Sequence, residues 1–130
     1  MKRLVPFLFS FLLLAGCAAP VDSEASYQQI SMDEAIAIME SESDYIILDV
    51  RTAEEFADRR IPDAINIPNE TIGTENIPEL PDKDQLILVY CRSGNRSKQA
   101  SDKLANLGYT NIVEFGGIND WPGETVSDGE

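Results

Sequence analysis

The stretch LILVYCRSGNRS, residues 86–97, decides the fold class of this chain. Its first five residues are all apolar, which is typical of a strand buried on both faces of a parallel sheet. Polar residues and Gly94 end this strand, and the spacing of Ala100, Leu104 and Leu107 predicts a helix over residues 96–107. A buried strand that passes through a tight turn into a helix is the repeating unit of parallel α/β sheets.

Cys91 stands at the turn between this strand and this helix, a position that favours a reactive thiol. The N-terminus of a helix leaves backbone N–H groups free, and Gly94 permits the positive φ that curls a loop around an anion. Arg92 and Arg96 add positive charge, so the thiolate is favoured over the thiol. We therefore interpret Cys91 as a nucleophile in contact with water, served by a binding loop formed by Arg92, Ser93, Gly94, Asn95, Arg96 and Ser97. A buried structural cysteine is the alternative.

The rest of the chain alternates helices and strands, which argues for a parallel α/β sheet. Two capping boxes, at 31–34 and 52–55, predict the starts of helices, the first of which ends near Ser41. Apolar runs predict strands at 45–48, 64–67, 86–90 and 112–115, and residues 69–84 are predicted to be mostly loop. A short C-terminal helix carrying Trp121 follows the turn at 116–117.

Four segments in the correct order resemble the rhodanese-like sulfurtransferases. They are CRSGNRS at 91–97, DVRTAEEF at 49–56, IPDAINIP at 61–68 and GGI with a following Trp121 at 116–121. The resemblance implies an α/β fold with a central, mostly parallel five-stranded sheet flanked by helices on both faces. We expect this domain to span residues 29–123.

The resemblance also implies an activity. A sulfurtransferase of this type moves sulfane sulfur from thiosulfate or a similar small-molecule donor to a thiol or cyanide acceptor, through a persulfide on Cys91. An arginine directly after the cysteine, here Arg92, is similar to the thiosulfate-using members, whereas the mercaptopyruvate-using members usually have glycine. Arg59 and Arg60 stand where the family often has Gly-His, and Asp63 where it often has glycine, so acceptor preference is expected to differ.

Asp49 and Arg51 follow a second strand at the same edge of the predicted sheet. Ligands of open α/β sheets bind outside the carboxyl ends of the strands, so both residues are expected beside the cysteine loop. We expect them to support the loop through an ion pair and capping rather than to react.

Composition excludes several classes of site. The chain has no histidine, which excludes Cys-His and Ser-His-Asp nucleophile pairs and His-containing zinc sites. It has two cysteines, so a thiolate metal cluster is also excluded, and we expect neither metal nor cofactor. The net charge of −13 argues against a nucleic-acid partner, since phosphate binding needs clustered basic residues.

The N-terminus predicts export. Lys2 and Arg3 precede an apolar run over residues 4–15, which is too short to span a bilayer. LAGC at 14–17 resembles the lipobox of bacterial lipoproteins, which implies a signal peptide over 1–16 and lipidation at Cys17. We expect a flexible tether over 17–28, an acidic, frayed tail over 124–130, and an extracytoplasmic, membrane-anchored protein of the bacterial cell envelope. An ordinary secretory leader cut near residues 18–19 is the alternative.

Two other functions remain open from the sequence. One is a membrane-tethered sulfur carrier or redox-sensing module that turns over slowly and hands sulfur to a protein partner. The other is a cysteine phosphatase or arsenate reductase of similar fold. Four residues lie between Cys91 and Arg96, one fewer than in those phosphatases, so the loop is small for a tetrahedral phosphate.

Overall fold

The computed structural model describes residues 26–129. Five parallel strands form one sheet in the order β1-β5-β4-β2-β3. The strands are β1 (Gln28–Gln29), β2 (Ile46–Asp49), β3 (Ile65–Asn66), β4 (Ile87–Cys91) and β5 (Ile112–Gly117). The helices are α1 (Met32–Ser41), α2 (Ala53–Asp58) and α3 (Asn95–Asn106), with 3₁₀ turns at Asn69–Thr71 and Ile118–Asp120. The predicted five-stranded parallel α/β fold is confirmed.

β4 lies at the centre of the sheet between β2 and β5, and every one of its residues is buried. Because the strands are parallel, their carboxyl ends meet at one edge, where Asp49, Cys91 and Gly117 lie together. Val89 pairs with Glu114 and Cys91 pairs with Gly117, so β5 carries a bulge beside the cysteine. The bulge turns the end of β5 toward the loop that follows β4.

Both predicted capping boxes are confirmed, and they fix where two helices begin. The Ser31 hydroxyl accepts from the Glu34 N–H while the Glu34 carboxylate accepts from the Ser31 N–H, and Thr52 and Glu55 repeat the arrangement at α2. Three residues separate the end of β2 from the start of α2, and Glu55 lies in the first turn of that helix.

The sheet separates two apolar cores. One lies between the sheet and α3 and includes Val89, Cys91 and Leu104. The other lies between the sheet and α1 and includes Ala35, Tyr90 and Phe115. Side chains alternate along a strand, so Cys91 belongs to the α3 side and its neighbour Tyr90 to the α1 side.

The two ends of the domain differ from the expectation. Gln28, the last residue of the stretch expected to be tether, lies in β1 and pairs with Val113 of β5. The tail also holds to the domain, since Val126 forms a two-way backbone bridge with Arg60 and the Asp128 N–H donates to Ala57 O. Within residues 26–129 no helix has the length and apolar character needed to cross a bilayer. The predicted signal peptide and Cys17 lie outside the described residues.

Candidate active site

Cys91 ends β4 and is almost fully buried, with 1 % of its surface exposed. The Gly94 N–H donates to its Sγ at 3.0 Å, and the thiol lies 3.4 Å from Ser97 Oγ, to which it donates. The expectation of a thiol in contact with water is therefore wrong for this conformation. The physical reason is that the loop folds back over the sulfur, because Gly94 adopts a left-handed conformation (φ 117°) at the start of α3.

Glycines let the loop pack tightly against the end of β5. A Cβ on Gly117 would overlap the backbone of Arg92 and Ser93. The Asn119 N–H donates to Arg92 O at 3.2 Å, which also fixes the start of the loop. The close approach of these two backbones closes the loop around Cys91.

Ser97 joins Cys91 to a buried carboxylate. Its side chain is fully buried, and its hydroxyl lies 2.5 Å from Glu114 Oε2 and 3.0 Å from Gly94 O. Glu114 sits on β5 with 3 % exposure, and its Oε2 also accepts from the Gly116 N–H at 2.9 Å. Glu114 was not among the site residues predicted from the sequence. The available signal was a carboxylate inside the apolar run over residues 112–115, a pattern that places a charge in a buried strand.

Arg96 is bound by α2. Its guanidinium donates to both carboxylate oxygens of Glu55, at 2.8 and 3.1 Å. The hydrogen bond from Arg96 lowers the pKa of Glu55 to about 2, aided by the Thr52 cap against the opposing effect of burial. The same bond raises the pKa of Arg96. In this conformation the positive charge that Arg96 was expected to add to the loop is neutralised by Glu55.

Asp49 and Arg51 form the ion pair expected of them, and both are buried. Arg51 donates to Asp49 through its guanidinium at 2.7 Å and through its backbone N–H at 2.9 Å. Burial acts to lower the pKa of Arg51, but the hydrogen bond and negative charge of Asp49 outweigh it and the pKa is raised. Asn66 on β3 is bonded to the same two residues, since its side-chain amide donates to both of their backbone carbonyls.

A small polar cavity opens beside the loop. Its volume is about 190 Å³, and it is lined by Arg51, Glu55, Asp58, Arg59, Arg92, Ile118 and Asn119. Of the predicted loop residues only Arg92 lines it, while Ser93 and Asn95 are exposed on the outer side of the loop. A larger groove of about 490 Å³ is formed by residues 66–68, 71 and 73–79 and includes none of the loop. We assign function to the smaller cavity because it adjoins the cysteine loop.

The fold and the site define a class of protein: a parallel α/β domain with a cysteine-centred loop at the carboxyl edge of its sheet. The sequence profile described as "Rhodanese-like domain" matches residues 31–124, and the chain belongs to this family.

Two curated relatives and one solved structure are similar to it. Over 73 residues the chain is 36% identical to thiosulfate sulfurtransferase PspE of Escherichia coli, covering 56% of this chain and 70% of the relative. Over 102 residues it is 36% identical to a sulfurtransferase of Allochromatium vinosum, covering 78% and 85%. The structure titled "rhodanese with anions from E. coli" superposes with a TM-score of 0.58 at 34% identity, covering 64% of this chain and 98% of that one. Some relatives are much longer, and the chain covers only 27% of one of them.

Proposed function

We propose that this protein is a sulfurtransferase that carries sulfur as a persulfide on Cys91. The observation that carries the proposal is the hydrogen-bonding of Sγ, which accepts from the Gly94 N–H and lies next to the Ser97 hydroxyl. Both groups can donate to a thiolate or to the terminal sulfur of a persulfide, which stabilises the charged forms. Relatives named sulfurtransferases support the same activity.

Thiosulfate is the proposed donor. The relative from E. coli is named for it, and Arg92 places a positive charge on the small cavity beside the loop. Arg59 lines the same cavity, and neither arginine belongs to an ion pair among residues 26–129. These two guanidinium groups suit a small dianion.

The proposed reaction has two halves. The Cys91 thiolate attacks the outer sulfur of thiosulfate, an S–S bond forms, and the bond between the two thiosulfate sulfurs breaks. Sulfite leaves with the electron pair, and Cys91 holds a persulfide. A thiol, as its thiolate, or cyanide then attacks the terminal sulfur, and the Cys91 thiolate is regenerated.

The burial of Cys91 adds a step to this scheme. With 1 % exposure the sulfur is covered, so the donor reaches it only when the loop backbone at 92–94 moves outward. Arg92 and Ser93 are exposed on the loop surface, and the backbone there is held by the Asn119 N–H and by contact with Gly117. We propose that binding of the anion to Arg92 draws the loop away from Sγ.

Mass spectrometry of the intact protein tests the proposal. Incubation with thiosulfate should add the mass of one sulfur atom at Cys91, and later addition of cyanide should remove it and yield thiocyanate. The matched control is Cys91→Ser, which should take up no sulfur. Wild-type protein that takes up no sulfur from thiosulfate and forms no thiocyanate would contradict the proposal.

Slow turnover as a sulfur carrier is the second candidate, and the burial of Cys91 favours it. A covered persulfide is protected from small thiols and needs a partner protein to open the loop. The two candidates differ in steady-state rate. A carrier is loaded once by thiosulfate but passes sulfur to small acceptors far more slowly than it is loaded.

We further propose that the protein is anchored at the cell envelope through lipid on Cys17. The support is the LAGC sequence at 14–17 after a basic and apolar leader. Intact mass analysis of protein extracted from membranes should show a chain that starts at Cys17 and carries acyl groups. A non-acylated chain that starts after Cys17 would indicate the secretory alternative.

A further inference from the structure

Among residues 26–129 Sγ of Cys91 has two polar contacts, and only one of them can take a proton. The Gly94 N–H at 3.0 Å is a donor and cannot accept. The other contact is Ser97 Oγ at 3.4 Å, and the thiol donates to it. Because the residue is 1 % exposed, bulk water does not remove the proton while the loop is closed. Within the described part of the chain, the thiol proton therefore has one acceptor, the Ser97 hydroxyl.

The Ser97 hydroxyl is in turn hydrogen-bonded to Glu114, to which it can pass a proton. A hydroxyl has one proton to donate, and the shortest of its acceptor contacts is Glu114 Oε2 at 2.5 Å, against 3.0 Å for Gly94 O. The three groups thus form a directed chain in which the thiol donates to the hydroxyl and the hydroxyl donates to the carboxylate. The Gly116 N–H, at 2.9 Å from Oε2, holds the carboxylate in place.

We propose that Glu114 accepts the thiol proton of Cys91 through the Ser97 hydroxyl. In the step, Cys91 loses its proton to Ser97 Oγ as the Ser97 proton moves to Glu114, so a thiol and a carboxylate become a thiolate and a carboxylic acid. No other reactant is consumed. The Ser97 hydroxyl then donates to the new thiolate. The inference deepens the proposed function at the same site, on which it rests for the use of Cys91 as sulfur acceptor.

The groups packed around Glu114 support its role as acceptor of the thiol proton. β4 faces it with Val89 and Cys91, and β1 places the neutral Gln29 opposite it. On α3 the nearest cation to the loop, Arg96, is bound to Glu55, and Lys98 is exposed. α1, with its acidic first turn, packs against the other face of the sheet. Among residues 26–129 the ion pairs do not include Glu114, so no arginine or lysine neutralises it.

Alkylation of Cys91 by iodoacetamide tests the relay without a sulfur donor. The rate at the Cys91 peptide is followed by mass spectrometry from about pH 6 to about pH 9 for wild type, Glu114→Gln, Ser97→Ala and the exposed control Glu40→Gln. We expect Glu114→Gln and Ser97→Ala to react about 10- to 100-fold more slowly at the acid end, as for loss of a general base. The deficit should shrink as pH rises, because hydroxide then takes the proton. The control should match wild type.

Three results would overturn the relay. Equal rates for wild type and Glu114→Gln would show that the carboxylate takes no part. Faster alkylation of the variant would show that its charge only opposes the thiolate. A deficit that stays constant with pH would show that Glu114 merely holds Ser97 in place. If Glu114→Gln does not fold, Ser97→Ala carries the same test.

Sulfur uptake from thiosulfate, measured in the same proteins, separates this inference from the proposed function. A wild-type protein that shows the expected alkylation pattern but takes up no sulfur supports the relay and contradicts the proposed donor. Normal sulfur uptake by wild type and by all the variants would support the proposed sulfurtransferase function and contradict the proton relay.

Discussion

Gly117 lies so close to Arg92 that a Cβ at position 117 would overlap the arginine's backbone carbonyl. This contact joins the end of β5 to the first residue of the loop that covers Cys91. The loop's closed shape therefore depends on β5 as much as on the loop's own residues.

Gly117→Ala should push the loop outward. The added methyl group meets backbone atoms of Arg92 and Ser93, which cannot rotate away as a side chain could. We expect a loss of about 1–3 kcal/mol in the free energy of unfolding, together with faster alkylation of Cys91 as its cover opens. Gly73→Ala is the matched control, since nothing lies within 4 Å of a Cβ at that position. Unchanged stability and unchanged alkylation in Gly117→Ala would contradict this account.

Gly94→Ala separates backbone strain from the hydrogen bond to the sulfur. Gly94 has φ 117° and Gly108, at the end of α3, has φ 101°, so alanine at either position costs about 1–2 kcal/mol. Of these two glycines, Gly94 alone donates its N–H to Sγ; alanine keeps this N–H, but the strained φ shifts it away from the sulfur. Denaturant unfolding should give similar losses for Gly94→Ala and Gly108→Ala, while sulfur uptake at Cys91 should fall about tenfold in the first alone. Equal uptake in both variants would show that displacing this N–H from the sulfur has no effect.

Much of the fold could be predicted because its signals are local. The capping boxes at Ser31 and Thr52 depend on residues three positions apart, and the buried strand over 86–90 is visible as an apolar run. β1 was missed because Gln28 and Gln29 are polar and exposed, and only pairing with β5 makes them a strand. The backbone bridge between Val126 and Arg60 is likewise a contact between distant parts of the chain.

In the candidate site, too, local features could be predicted and long-range contacts could not. The position of Cys91 at a strand end follows from the sequence around it, and so does the glycine that turns the loop. The pairing of Arg96 with Glu55 and of Ser97 with Glu114 joins residues 41 and 17 positions apart, which no local pattern specifies. The loop also closes over the thiol through its contact with Gly117, a residue distant in sequence, so the burial was not predicted.

Asp49→Asn should destabilise the domain strongly. Asp49 is fully buried, and the substitution leaves the buried Arg51 guanidinium without a counter-charge. We expect a loss of about 3–5 kcal/mol, as for other broken buried ion pairs. Asp128→Asn breaks the exposed pair with Arg60, where the aspartate side chain is 66% exposed, and should cost about 1 kcal/mol or less. Urea unfolding at neutral pH measures both, and equal effects would contradict the distinction.

The ion pair of Glu55 with Arg96 should make stability depend on pH in the acid range. The pKa of Glu55 is lowered in the folded protein from 4.5 to about 2, so the pair stabilises the fold above the unfolded carboxyl's pKa. This contribution is lost as pH falls from about 4.5 to about 2 and the folded carboxyl takes up its proton. Solvent screens this partly exposed pair, so we expect about 1–2 kcal/mol from it. Glu55→Gln should therefore be less stable than wild type by this amount near neutral pH and equally stable near the acid limit. Urea unfolding across that pH range measures the difference in stability, with Glu40→Gln as the exposed control. If Glu55→Gln were less stable than wild type by the same amount at every pH, the Thr52 cap rather than the ion pair would be responsible.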